Sequence, residues 1–433
     1  MTKNIKIESG IFNLRYFILL LFISTCGIIY ASDYYWVGGT GEWSDINHWA
    51  TTSGGGILHA QVPTVNDNVY FDVNSFLTGS CTVTINSKNA ICNDMDWTGA
   101  AFNPRLTGHD TTSLRIYGSL KFPANLVQNY DGLVYFEATN TGETITLSEK
   151  KFINHVYFQG NGGGWQFNDD FSTLKNIYFI HGNLSTNGNK ISCKRFYSNN
   201  NHFRNLDISN SMLELEYWNI DGRNLDFDAS SSVFILTDTL INSNGNKLIY
   251  NDISFTGTNG LLSNNNVYVI YNNIEFLAKG NVLGDCKIDS VIFYDQGFIS
   301  GNDSINYVLF EKNGSITGGN HVINKAIFEN KGIVEGNNEI DTLHFFQRAY
   351  VLGNNKIEEL IIKLSGIIDG NNIIHQANLE GNDTLRGDNT FDILTFSPGN
   401  TYTFANNSTQ TINDEFNITA NCYQPIRMLC DTN

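Results

Sequence analysis

The chain has 433 residues, a net charge of −17 and only 16% charged residues, while 29 Phe and 20 Tyr help raise its aromatic content to 13%. That combination excludes a disordered chain, and an acidic surface with no basic, aromatic-interleaved patch excludes a nucleic-acid partner. Five prolines and 39 glycines among abundant Asn and Asp suit many short strands joined by tight turns, and no stretch after residue 32 keeps a 3.6-residue apolar period.

Residues 1–31 read as an export signal: Lys3, Lys6 and Arg15 precede an apolar run from Tyr16 to Tyr30, with Ala31 and Ser32 following. The run is too short for a comfortable membrane span and no stop-transfer segment follows, so cleavage near Ala31 and no membrane span are expected. Removing 1–31, which carries a net +2, leaves −19. A lipoprotein-like box at Ile23-Ser24-Thr25-Cys26 is the alternative, though Thr before the Cys fits it poorly.

Residues 32–114 hold four of the six tryptophans, Trp36, Trp43, Trp49 and Trp97. Trp36, Trp43 and Trp49 could stack on sugars, or they could cap the open end of a solenoid core, and capping is the preferred reading. Asp67, Asp72, Asp94 and Asp96 could supply oxygen ligands to calcium, but acids in such turns more often cap them, so no cofactor is expected. Cys81 and Cys92 flank an alternating strand at a spacing that a disulfide could bridge, and Cys422 with Cys430 forms a second candidate pair. Cys193 and Cys286 sit alone in apolar strands and read as buried small hydrophobes.

The segments YYWVGGTG (34–41), VPTVNDNVYFD (62–72) and DMDWTGA (94–100) resemble large β-helical surface proteins of gliding bacteria exported by the type IX route, and the opening is similar to that of autotransporter-like adhesins. The resemblance implies an extracellular, adhesive protein and carries no catalytic residues to transfer.

From 115 to 266 short strands alternate with Gly/Asn/Asp turns at irregular spacing of about twenty residues. From 267 to 413 the spacing becomes regular. Glycines at 284, 301, 319, 336, 353, 370 and 387 recur in steps of 17, with one of 18. Four residues after each stand Ile288, Ile305, Ile323, Ile340, Ile357, Ile374 and Phe391. Nine residues after each stand Phe293, Phe310, Phe328, Phe345, Ile362, Leu379 and Phe396. A unit this short cannot bury its own apolar face and must stack on copies of itself. The predicted fold is therefore all-β, a right-handed parallel β-helix (β-solenoid) with an aromatic N-terminal cap. Each regular coil should hold a strand at +4 to +9, kinked before +7, and another at about +13 to +16. The glycines at +13 (Gly297, Gly314, Gly332, Gly366) should make the bend between them. Asn at +1 and +2, notably Asn337, Asn354 and Asn371, should form amide ladders between coils. Residues 414–433 read as the start of a further β module, apparently truncated.

Parallel β-helices include polysaccharide lyases and hydrolases, so a carbohydrate-active enzyme is the competing class. Such a site needs converging carboxylates with a base or cation nearby. The acids of the repeat (Asp289, Asp303, Asp341, Glu358, Glu359, Asp369) fall at different coil positions instead. The nine His are dispersed with no nucleophile partner, and no Cys/His cluster has zinc spacing. The expectation is a non-enzymatic protein, secreted or at the cell surface. It would be an adhesin-like or structural solenoid whose partner is an extracellular surface or glycan, within a larger surface assembly. An inert spacer or fragment is the third reading.

Overall fold

A computed structural model describes residues 31–245 and 247–431; the predicted signal segment before Ala31, with its Cys26 alternative, lies outside the described residues. The strands stack in parallel into a β-solenoid of about 17 turns. Among the described residues the one helical element is the short 3-10 turn Ile46–His48, and no helix is long and apolar enough to cross a membrane.

The strands fall into three stacks. The first holds ten, parallel from Asp33–Trp36 to Leu225–Asp228, with the short Trp49–Ala50 added antiparallel beyond Asp33–Trp36. The second holds four, from Gly41–Glu42 to Val127–Tyr130. The third begins at Ala90–Cys92 and continues to Arg427–Asp431. Coils shorten along the chain, and in the later ones a single kinked strand such as Cys286–Phe293 spans two sides. The register records the shrinkage: 25 residues from Leu120 to its partner Ile145, 21 from Val156 to Ile177, and 17 from Val269 to Cys286.

Alternation aims every second side chain into the shared core. Where alternation breaks, the coil turns. In Cys286–Phe293 the buried Ile288 and Val291 are separated by two outward residues, Asp289 and Ser290. The ladder to the next coil correspondingly skips Asp289, passing from Ile288↔Ile305 to Ser290↔Tyr307. The kink lies where the apolar spacing predicts it. Beneath it the +9 column forms a continuous stack: Phe255, Phe276, Phe293, Phe310, Phe328 and Phe345 lie ring over ring with centroids 4.6 to 4.8 Å apart. Each stacked pair adds about 0.5–1.5 kcal/mol beyond the area it buries.

Two sequence expectations need correction. The +13 glycines do not turn the chain: the positive φ values belong to the coil-starting glycines, such as Gly336 at 140° and Gly353 at 100°. A Cβ on Gly297, Gly314 or Gly332 would instead lie 2.3–2.5 Å from a Phe ring, so space against the Phe stack demands glycine there. The segment after residue 413 is no separate module either. Thr411–Ile418 pairs in parallel with Thr390–Phe396, and Arg427–Asp431 with Thr401–Ala405, which continues the same solenoid.

Candidate functional site

The N-terminal tryptophans are core, not a sugar platform. Trp36, Trp43 and Trp49 are at most 1% exposed. Trp49 sits edge-on to both others, at 5.0 Å from Trp36 and 4.8 Å from Trp43. Trp49 Nε1 donates to Trp43 O and Trp36 Nε1 to Gly39 O. No ring face is left for a ligand, so the sugar-stacking alternative is overturned. The rings instead close the first coil, whose edge strand is also covered by antiparallel Trp49–Ala50.

The paired cysteines are likewise corrected: all six described cysteines are free thiols. Cys81 precedes the second-stack strand Thr82–Ile85 and its Sγ donates to Thr78 O, whereas Cys92 ends a third-stack strand and is wholly buried. Cys430 Sγ donates to Asn406 Oδ1 while Cys422 is exposed. Burial pushes the Cys193 thiol up to about 12, and Cys286 is also raised by burial and the neighbouring Asp303.

The four acids weighed for calcium accept backbone and hydroxyl hydrogen bonds within turns and between coils. Asp67 accepts from Ser32 N and from Thr64 N and Oγ1, Asp72 from Asn74 N, Asp94 from Ser119 N, and Asp96 from Thr98 N and Oγ1. Among the described residues no three His, Cys, Asp or Glu side chains gather in a way that could hold a metal.

The asparagines form two ladders with different surroundings. The outer one runs from Asn320 through Asn337 and Asn354 to Asn371, with Nδ2–Oδ1 distances of 3.4, 3.0 and 3.1 Å. One residue on, Asn338, Asn355, Asn372 and Asn389 are completely buried, with amides 2.7, 2.8 and 2.8 Å apart. In this inner ladder each Oδ1 of Asn355, Asn372 and Asn389 also accepts the backbone N–H of the preceding rung. Upstream the same column holds His321 and Asp303, both buried, with Nδ1 and Oδ2 3.1 Å apart, and then Cys286, whose Sγ lies 3.1 Å from Asp303 Oδ1. These groups are sealed inside the coil and meet no substrate.

Several depressions face solvent, the one of about 530 Å³ over the earlier coils having Lys194, Glu214 and Glu216 on its walls; the one that differs in lining is a groove of about 380 Å³ in the first regular coils. Its floor is the backbone of the +13 glycine column: Gly280, Gly297 and Gly314, with no Cβ on their core side, sit close down on the Phe stack. Asn259, Lys279, Gln296, Asn313 and Lys331, the residues just before those glycines and their neighbours in the column, form one wall. Asn281, Phe298, Ser315 and Ile333, just after, form the other. No carboxylate lines it. The polar-Gly-x triplets Lys279-Gly280-Asn281, Gln296-Gly297-Phe298, Asn313-Gly314-Ser315 and Lys331-Gly332-Ile333 are the sequence signal that points here. They go unnoticed while the glycines are taken only as bends.

A second outward feature lies earlier. Tyr135, Tyr157, Tyr178 and Tyr197 stack in register at 4.7, 4.7 and 5.3 Å, with the Arg115 guanidinium 4.3 Å from the Tyr135 ring centre. Burial among its neighbours pushes the Tyr157 phenol up to about 12. The rings cover one another's faces, and Asn176 and Arg195 donate to the hydroxyls of Tyr178 and Tyr197. The stack runs along the outside of coils of unequal length.

No protein-family model, curated protein or solved structure matches this chain. The functional reading therefore stands on the site itself.

Proposed function

We propose that the chain is a secreted or cell-surface, adhesin-like β-solenoid that engages extracellular surfaces or glycans through many weak contacts along its length, without catalysis. The observation that carries this reading is the groove: it repeats one rung per coil, lies open to solvent, and presents amides, lysines and an aromatic edge without a carboxylate pair. Repeated shallow contacts give strength by effective concentration rather than by a deep pocket. A hydrolytic or lyase site needs positioned acids and bases; the groove has no acid on its walls, the inner polar column is closed to solvent, and Glu214 and Glu216 in the larger depression upstream pair with Lys190 and Lys194. The Trp-rich opening segment supports export and surface display through its resemblance to type IX-exported proteins, and participation in a larger surface assembly belongs to the same proposal.

Binding of the purified secreted chain to a broad glycan array and to whole cells tests the reading. Retention on a defined set of glycans or on cell surfaces is expected, and avidity should rise when the chain is displayed in multiple copies. A null result across both panels reduces the molecule to a spacer.

A further inference from the structure

We propose that the glycine-floored groove binds an extended acidic polysaccharide, with its carboxylates held by Lys279 and Lys331 and its hydroxyls by the amides between them. This rests on the glycan-engaging reading above and adds the ligand class and the residues.

Three observations converge on it. The first is charge. The chain has 43 acidic against 26 basic residues, yet the groove contains two lysines and no acid. Some lysines elsewhere on the solenoid pair with acids: Lys190 with Glu214 at 2.6 Å, Lys356 with Glu339 at 3.1 Å, and Lys363 with Glu380 at 2.6 Å. Lys279 has no carboxylate partner, and Lys331 only overhangs the Tyr350 ring, at 4.9 Å. Positive groups left unmatched on so acidic a molecule select an anion and keep it local.

The second is hydrogen-bonding capacity. The turn asparagines bond one another in ladders, and the strand asparagines do so too, as in Asn306 to Asp289 and Asn324 to Asn306. The side chains of Asn259, Asn281, Gln296, Asn313 and Ser315 form no such bonds within the chain. Amides with both donor and acceptor free match the paired donor–acceptor character of sugar hydroxyls.

The third is geometry. Successive rungs follow the Phe stack beneath them, whose rings are 4.8, 4.8 and 4.7 Å apart. Three coils separate Lys279 from Lys331, so their rungs stand about 14 Å apart along the axis. That separation suits two charges on one extended chain rather than a single small anion. Phe298 stands between them, half-buried, and offers an apolar edge to a sugar ring. A nucleic acid needs many more cations to offset its phosphates against this net charge.

The test is calorimetric titration of the purified secreted chain with oligogalacturonate, with the same oligomer fully methyl-esterified, and with a sulfated glycan of similar length. Oligogalacturonate should bind, and binding should weaken as salt rises. The neutral ester should bind at least tenfold more weakly. K279A/K331A should lose at least tenfold for the acid form with an unchanged far-UV spectrum, since both side chains are exposed. Q296A/N313A should weaken acid and ester alike. Sulfated glycan binding lost in K279A/K331A supports the groove as an anionic-glycan site; sulfated binding with no oligogalacturonate binding overturns the carboxylate assignment. Acid binding that survives K279A/K331A overturns the site. If no acidic glycan binds while array or cell binding persists, the inference fails and the surface-binding reading stands. If nothing binds at all, both fail.

Discussion

The coils before residue 267 and those from 267 to 391 bury the same kind of core, but only the latter keep nearly equal lengths, and that difference decides where long turn ladders form. In the early coils the register step drifts through 25, 22, 21 and 19 residues, from Leu120↔Ile145 through Val134↔Val156 and Val156↔Ile177 to Ile177↔Phe196. Loops absorb the excess, and the stacking that survives lies on strand faces, inside as mixed aromatics and outside as the tyrosines. In the later coils a step of 17, with one of 18 between Ile305 and Ile323, also aligns the turns. Turn residues can then ladder, and the buried asparagines do. Uniform length therefore converts turn polarity, which is costly to bury, into satisfied internal hydrogen bonds.

The largest expected effect separates the two regions by stacking. Phe310 has ring neighbours on both sides, at 4.8 and 4.7 Å. Phe310→Ala should cost about 3–5 kcal/mol through lost burial and an unfilled cavity. In a solenoid the loss is felt chiefly by nearest neighbours. Hydrogen exchange should therefore accelerate over the coils holding Phe293, Phe310 and Phe328 while the coils around Phe136 and Phe158 keep their protection. Acceleration spread evenly over both regions would show that the two fold as one cooperative unit.

A residue that breaks its own column gives the next effect, with the opposite sign. Asp383 continues the column of Ala349 and Gly366, is 1% exposed, and no well-placed hydrogen-bond partner reaches either carboxyl oxygen. Burial pushes its carboxyl from 3.8 up to about 7, only partly offset by the Gly381 and Gly366 N–H groups. The folded state thus holds a proton that the unfolded chain releases. The stabilising contribution is complete below the unfolded value and is lost as pH rises towards 7. Asp383→Ala, which restores the residue type of Ala349, should therefore raise stability by about 2–4 kcal/mol above pH 7. The gain should vanish near pH 3.5. Urea melts at both pH values check this, and an equal gain at each would show that packing rather than charge sets the effect.

Adjacent asparagines sharpen the contrast between satisfied burial and solvent. Asn355→Ala leaves the Asn338 amide and the Leu352 carbonyl without their partner inside the core. It should cost about 2–3 kcal/mol. Asn354→Ala removes a rung of the exposed ladder and should cost under about 0.5 kcal/mol. Equal costs for the two in chemical denaturation would mean that the inner ladder adds nothing beyond turn geometry.

How much of this was legible in the sequence follows from the same contrast. The seventeen-residue step, the Ile288 and Phe293 columns and the kink between them could be read because strand alternation ties residue spacing to core direction. The roles of Asn337 and Asn338 could not be told apart. Neighbouring turn residues point inward or outward according to the local backbone, and Gly336 at φ 140° sets that direction. Spacing suggested a bond between Cys81 and Cys92, but the coil carries them onto different stacks. The groove stayed hidden because its floor is backbone: Gly297 and Gly314 let the strand close down on the Phe rings, and that approach depends on the ring packed beneath each glycine. The tryptophans carried two readings because composition cannot say whether an aromatic cluster lies at an end or on a flank.

The smallest effect probes the early coils, where stacking has moved outside. Tyr178 lies between Tyr157 at 4.7 Å and Tyr197 at 5.3 Å, and its hydroxyl accepts from Asn176. Tyr178→Ala removes two ring contacts on a half-buried surface and should cost about 1–2 kcal/mol. Tyr178→Phe keeps the rings and loses one partly solvated hydrogen bond, so it should cost under about 1 kcal/mol. The ordering tests whether the outer ladder braces coils whose lengths differ. If it does, exchange in Tyr178→Ala should quicken in the loops that absorb the unequal lengths, around Asn161 and Asn200, before it quickens in the strands. If the strands respond first, the tyrosines only shield backbone hydrogen bonds, and the early coils hold their register through the inner aromatics alone.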